Sequence, residues 1–231
     1  MKNILIVGAG KGIGLRSAQL LDDHQLFTVS RTSTPELEAL NTQFFELDVA
    51  QSDLSELSLP DELHGLIYCP GSINLRPFNR MTVDDFQADF GQNFLGVVKL
   101  IQKALPALKK SKSASIVLFS TVAAKVGMPF HTSIAASKGA IEGFAKSLAA
   151  ELAPANIRVN VIAPSLSDTA LAGTLLSTEE KRAASAKRHP LGRIGTTDDS
   201  AQLVNFLLSD NSTWMTGQII GLDGGLGNIK L

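Results

Sequence analysis

The side chains best suited to chemistry gather around one stretch, TSIAASKGAIEGF, from Thr132 to Phe144. Lys138 sits in an alanine-rich run that predicts a helix, and a lysine so placed is half of an acid–base pair. His131 precedes it by seven residues, two helical turns, so both groups share a face if the helix reaches back that far. Met128-Pro129-Phe130 predicts loop at that point instead. His131 therefore reads either as an acid–base group or as a loop residue at a pocket mouth. His24, His64 and His189 have no carboxylate or cysteine partner at metal-ligand spacing. All three are expected at the surface, and no metal site is expected.

A second constellation opens the chain. Gly8-Ala-Gly-Lys11-Gly12-Ile13-Gly14 follows an apolar run and begins a helical one. Glycines there allow a tight turn and let a pyrophosphate approach the backbone N–H groups at the positive end of a helix. The competing explanation is an ordinary strand-to-helix connection, but a second strand ending close by at Ser30 favours a nucleotide. A site for NAD(H) wants an acid at the end of that second strand, to accept from the ribose 2′-hydroxyl. Ser30 and Arg31 stand there, with Lys11 in the glycine turn. Two cations without an acid suit a 2′-phosphate, so NADP(H) is expected ahead of NAD(H).

These groups need a scaffold that holds strand ends beside helix starts. Buried strands are predicted at 4–7, 26–30, 66–69, 115–119, 157–162 and 218–221. Helical periodicity runs over 13–21, 83–108, 134–152 and 200–208. The alternation predicts an α/β fold, a doubly wound Rossmann-type sheet of about seven parallel strands with helices on both faces. Residues 32–40 are short for a crossover helix, so that region is expected to be trimmed. Residues 1–231 are expected to form a single domain.

Composition narrows the function classes. With 231 residues, 44% hydrophobic and 19% charged, the chain is long enough to bury a full core. A net charge of −1 gives no reason to expect nucleic acid or an anionic membrane surface as partner. A single cysteine excludes an intramolecular disulfide and fits a reducing compartment. The first apolar run is too short for a signal peptide, no run could span a membrane, and a cytoplasmic protein is expected.

Several motifs in order resemble the short-chain dehydrogenase/reductase (SDR) family over essentially the whole chain. They are Gly8-x-x-x-Gly12-x-Gly14, Leu47-Asp48-Val49, Asn93-Phe-Leu-Gly96, Lys138 within its alanine-rich helix, and Arg158-Val-Asn160-Val-Ile-Ala-Pro164 followed by Thr169. The C-terminal Pro190-Leu-Gly-Arg-Ile-Gly195, Thr216-Gly-Gln218 and Asp223-Gly-Gly225 are similar to the ketoreductase branch. The resemblance implies cofactor contacts from Gly8, Lys11, Gly12, Ile13, Gly14, Ser30, Arg31, Asp48, Val49, Cys69, Pro70, Gly71, Lys138, Pro164, Leu166 and Thr169. It also implies a small-molecule substrate, a substrate lid around 166–192, and a homodimer or homotetramer built on the apolar faces of 93–108 and 134–152.

The same resemblance implies a catalytic set of serine, tyrosine, lysine and asparagine, and the chain departs from it at the chemistry. Asn93 and Lys138 are in place, Thr121 falls on the serine position with Ser120 before it, and Ile134 falls on the tyrosine. Tyr68-Cys69-Pro70-Gly71 replaces Asn-Asn-Ala-Gly, and Ser165 replaces the glycine after Pro164. Asn93, Thr121, His131 and Lys138 are therefore the candidate catalytic residues, with His131 a substitute proton carrier. Tyr68 is expected to pack. Residues 178–190 hold Lys181, Arg182, Lys187, Arg188 and His189, read as a solvated helix or as a basic rim for an anionic substrate or carrier protein. Three roles follow: an oxidoreductase with an altered acid, a dinucleotide-binding sensor or partner subunit without turnover, or a scaffold. The intact glycines and Lys138 argue against the last.

Overall fold

The computed structural model describes residues 1–230. Seven parallel strands form one sheet in the order β3-β2-β1-β4-β5-β6-β7. The elements run β1 (Asn3–Val7), α1 (Gly12–Leu20), β2 (Gln25–Ser30), α2 (Pro35–Glu38), β3 (Thr42–Glu46), β4 (Gly65–Tyr68), α3 (Val83–Phe90), α4 (Gly96–Lys110), β5 (Ala114–Phe119), α5 (Thr132–Leu152), β6 (Ile157–Pro164), α6 (Glu179–Lys187), α7 (Thr197–Leu208) and β7 (Ile219–Leu222). The expected Rossmann-type architecture is therefore present.

Apolar strands fix the layering. Every residue of β4 and β5 is buried, as a parallel sheet covered on both faces requires. On one face Leu100, Leu108, Ile141 and Ala145 from α4 and α5 meet Leu5, Leu66 and Ile116. On the other, Ala18 of α1 with Val204 and Leu207 of α7 meet Ile4, Ile6 and Ile67. The chain turns outward in opposite directions from β1 and β4, so their carboxyl ends flank an open crevice.

Three expectations need correction. β3 is an additional strand at the sheet edge that the apolar pattern passed over, because residues such as Gln43 and Glu46 are exposed. The helix expected over 83–108 is two helices joined by a π-turn at Gly91–Leu95. There the Gly96 N–H reaches back to the Gly91 carbonyl, while the Gln92 and Asp89 carbonyls accept from the Tyr68 hydroxyl at 3.0 Å and the Asn93 amide at 2.8 Å. Side-chain donors thus satisfy carbonyls in the widened turn, and a Cβ on Gly96 would collide with the Tyr68 hydroxyl. Finally, Val97, Ile101, Ile141 and Leu152 of the expected assembly face are consumed by the subunit's own core, and Phe94, Val98, Phe144 and Leu148 are left half-buried. The trimmed stretch at 32–40 holds only the one-turn α2, capped by Thr34 and started by Pro35.

Candidate functional site

The glycine turn sits where β1 delivers it. Gly8 takes a positive φ of 83° and its N–H donates to Val29 O at 2.8 Å, which ties the turn to β2. A Cβ on Gly14 would run into the Gly8 carbonyl, so the helix can start this close to the strand only with glycine there. Lys11 occupies the N-cap of α1 with no side-chain cap, and the first turn carries no acid. The N–H groups of that turn are therefore free for an anion.

A cavity of about 300 Å³ opens over this turn. Gly8, Lys11, Gly12, Ile13 and Gly14 line it from one side. Ser30 and Arg31 line it at the end of β2, Asp48 and Val49 after β3, and Cys69, Pro70 and Gly71 after β4. Arg31 is exposed, and the Ser30 hydroxyl donates to Thr32 O at 2.6 Å. Glu46 pairs in register with Ser30 but does not line the cavity. The lining fits a dinucleotide: a glycine cradle at a helix N-terminus, apolar Leu47 and Val49, and two cations, Lys11 in the glycine turn and Arg31 after β2.

A second cavity of about 320 Å³ adjoins the first and shares Ile13, Cys69, Gly71, Thr169 and Leu171 with it. Thr121, His131, Ile134 and Lys138 all line it, as do Pro164 and Leu166. Lys138 is buried and donates to Phe119 O at 3.0 Å. Burial holds its ammonium down at about 8, with the Cys69 sulfur acting the other way. Burial likewise pushes the Cys69 thiol up to about 12, opposed by Lys138. Thr121 caps the short turn Val122–Ala124 by accepting from the Ala123 N–H at 3.3 Å, leaving its own O–H to donate. Ser120 instead turns to Glu142 at 2.6 Å.

His131 is the N-cap residue of α5, just outside the helix that starts at Thr132, so the loop expected from Met128-Pro129-Phe130 extends to it. Its Nδ1 lies 2.7 Å from Pro129 O, and a carbonyl can only accept, which leaves Nε2 unprotonated in the neutral ring. Ile134, with 6% exposure, puts a hydrocarbon wall one turn before Lys138. Asn93 lines neither cavity; it is fully buried behind Gly71, where a Cβ would sit 3.4 Å from its Oδ1. Tyr68 packs as expected, its phenol pushed above its ordinary range by burial and by Asp48.

Beneath these groups lies a buried carboxylate that sequence spacing did not reveal. Asp89 accepts from Ser72 and Ser133, each at 2.6 Å, and the Asn93 amide also reaches the Ser72 hydroxyl at 2.9 Å. The cluster joins the Gly71 loop, the end of α3 and the first turn of α5, and so holds Lys138's helix against the turn after β4.

The basic segment keeps its lysines and arginines exposed or half-exposed, as the solvated-helix reading expects, and one residue in it is a correction. Arg182 makes a bidentate ion pair with Asp168 at 2.8 and 3.1 Å, and Lys181 bonds to Ser177 and Thr174 O. His189 is not at the surface: it is buried, its ring against Ser165 and Ser185 O. Arg188 alone of the segment's lysines and arginines lines the second cavity. Among the described residues there is no cluster of possible metal ligands, and no helix is long and apolar enough to cross a membrane.

The family model described as enoyl-(acyl carrier protein) reductase matches residues 8–227. The chain belongs to the short-chain dehydrogenase/reductase family. It is 42% identical over 147 residues to the 3-oxoacyl-(acyl-carrier-protein) reductase FabG of Thermotoga maritima, a match covering 64% of this chain and 59% of that one. It is 32% identical to a tropinone reductase homolog of Arabidopsis thaliana over 97% of this chain and 92% of the relative. Among solved structures, ElxO with NADP bound superposes with a TM-score of 0.86 at 26% identity, covering 98% of this chain and 99% of that one.

Proposed function

We propose that this SDR protein is an NADP(H)-dependent oxidoreductase acting on a carbonyl/alcohol or enoyl substrate, with an active site in which Ile134 takes the place of the family's tyrosine. The observation that carries the reading is the pair of adjoining cavities, with Lys138 lining the second beside Gly71, which lines both. One has the glycine cradle and cations for a dinucleotide, the other apolar walls and a few polar groups for a small organic molecule. The ketoreductase relatives and the NADP-bound neighbour support the same assignment.

When bound, the dinucleotide supplies or accepts a hydride. Lys11 and Arg31 would hold its 2′-phosphate, and the N–H groups of α1's first turn would hold its pyrophosphate. Lys138 offers its ammonium to the ribose beside the nicotinamide, while Asn93, tied to Asp89 and Ser72, keeps Gly71 and α5 in register around it. In the second cavity the Thr121 hydroxyl and the His131 ring offer hydrogen bonds to a substrate oxygen, and residues 166–192 cover it as a lid. Ile134 has no proton to give, so carbonyl reduction is slow relative to an enzyme with a positioned phenol, a loss typically of about 10²–10⁴-fold.

A second reading is favoured by that same Ile134: a dinucleotide-binding sensor or partner subunit without turnover. We place the protein in the cytoplasm as a single-domain homodimer or homotetramer. Calorimetric titration with NADPH and NADH, followed by a panel of carbonyl, alcohol and enoyl compounds, tests the assignment. Tight NADPH binding with turnover supports the enzyme. Binding without turnover of any compound transfers the case to the sensor, and no binding refutes both.

A further inference from the structure

On the wall of the second cavity built by the end of β6 and the end of α6, Ser165 and His189 form a hydrogen-bonded pair. Ser165 Oγ lies 2.8 Å from His189 Nε2, and His189 Nδ1 lies 2.8 Å from Ser185 O. The second contact decides the tautomer of the neutral ring. A carbonyl oxygen only accepts, so Nδ1 carries the hydrogen, Nε2 presents its lone pair, and the Ser165 hydroxyl donates to it.

The ring is held from both sides. It is buried, and Gly224 packs close enough that a Cβ there would touch its Cβ at 3.4 Å. Ser165 follows the last residue of β6, and its N–H donates to Leu222 O at 3.3 Å. Both residues line the cavity that holds Thr121, Ile134 and Lys138. A serine oxygen backed by an oriented imidazole is a proton-transfer pair, and this one faces the space assigned to the substrate.

We propose that Ser165 and His189 form the proton relay of this site, Ser165 as a catalytic residue touching the substrate oxygen and His189 as the group that acts through it. The proposal rests on the oxidoreductase reading above. In alcohol oxidation the substrate O–H proton passes to Ser165 Oγ as the Ser165 proton passes to His189 Nε2. The C–H hydride leaves to an oxidised nicotinamide, the C–O bond becomes C=O, and once the product has left, the imidazolium returns its Nε2 proton to Ser165 Oγ as the Ser165 proton passes to solvent in the cavity. Reduction is the reverse: a reduced nicotinamide gives the hydride, Ser165 protonates the oxygen, and Nε2–H restores the serine. The same pair could not serve as an acylating nucleophile with equal ease, because the Ser165 N–H is already spent on Leu222 O and offers no oxyanion donor.

The test uses the full chain with Ser165→Ala and His189→Gln, the latter keeping a donor near Ser165 but no basic lone pair. The relay requires that each variant lower kcat on a substrate of the unaltered protein by about 10²–10⁴-fold. KM and NADPH affinity by calorimetry should stay within about threefold, and the melting temperature should be essentially unchanged. Independently of activity, ¹⁵N–¹H spectra of the unliganded protein should show His189 as the Nδ1–H tautomer, with its Nε2 resonance moving in Ser165→Ala. Unchanged kcat in both variants overturns the relay while leaving the oxidoreductase reading intact. So does a loss that follows cofactor affinity or melting temperature, or an Nε2–H tautomer. If the unaltered protein binds NADPH and turns over nothing, the oxidoreductase reading fails and takes the relay with it.

Discussion

Lys138 carries a measurable cost in the unliganded protein, and its sign can be worked out. Burial, with no carboxylate beside it, holds the ammonium at about 8, against about 10.4 in an unfolded chain. Below both values the two states bind the same proton. Between them the unfolded chain binds more, so stability rises with pH across that window. Cys69 opposes this: its thiol stays protonated to about 12 in the folded state, while an unfolded cysteine ionises near about 8.5. Folded stability therefore falls as pH climbs past that point.

Replacing Cys69 with Ala isolates the lysine. Integrating its linkage from pH 7 to pH 9 gives a gain of about 1.3 kcal/mol, or about 4 °C in melting temperature for a chain of this size. In the unaltered chain the thiol offsets about 0.8 kcal/mol of that gain. Tyr68, also raised by burial, loses stability only at more alkaline pH, and the other shifted groups are acids or arginines that titrate outside the window. The assay is urea unfolding followed by far-ultraviolet circular dichroism at fixed protein concentration and pH 7, 8 and 9. Cys69→Ala should show the full rise, and Cys69→Ala with Lys138→Met should show none. A flat profile in the first, or the same rise in the second, would refute a desolvated ammonium at position 138.

Other outcomes follow from the same geometry. Arg31→Ala should weaken NADPH by about 10–100-fold, the value of a charge-assisted contact, and change NADH by less than about threefold; equal binding of the two by the unaltered protein removes the charge argument. Ile134→Tyr puts a phenol one turn before Lys138, inside the cavity, and should raise carbonyl-reduction kcat by on the order of 10²-fold. His131→Ala should lower kcat less than Ser165→Ala does, and the reverse order would move proton transfer to His131. Light scattering at micromolar concentration should find a dimer or tetramer, because Phe90, Phe94 and Leu95 leave an apolar strip on the α4–α5 side, with Phe90 and Leu95 exposed; a monomer overturns the assembly.

What the sequence made legible was local. A glycine in a tight strand-to-helix turn and an apolar strand bounded by turns each leave a signal within a few neighbours. Six of the seven strands and the glycine turn between β1 and α1 were readable on that basis. β3 was not, because an edge strand buries little and keeps little apolar pattern. The π-turn was also hidden, since it is set by Tyr68 arriving from 24 residues away. The polar groups around the second cavity follow the same rule at longer range. Asp89 finds Ser72 and Ser133 across 17 and 44 residues, and Ser165 finds His189 across 24. No periodicity records such pairings, because the sheet and its crossover helices bring them together. Read singly, Ser165 is a missing glycine and His189 a basic residue in a solvated helix. Only when α6 docks against the end of β6 does the second become the base for the first. In this chain the glycine cradle proposed for a dinucleotide is written in contiguous residues, whereas the proposed means of moving a proton is assembled from the fold.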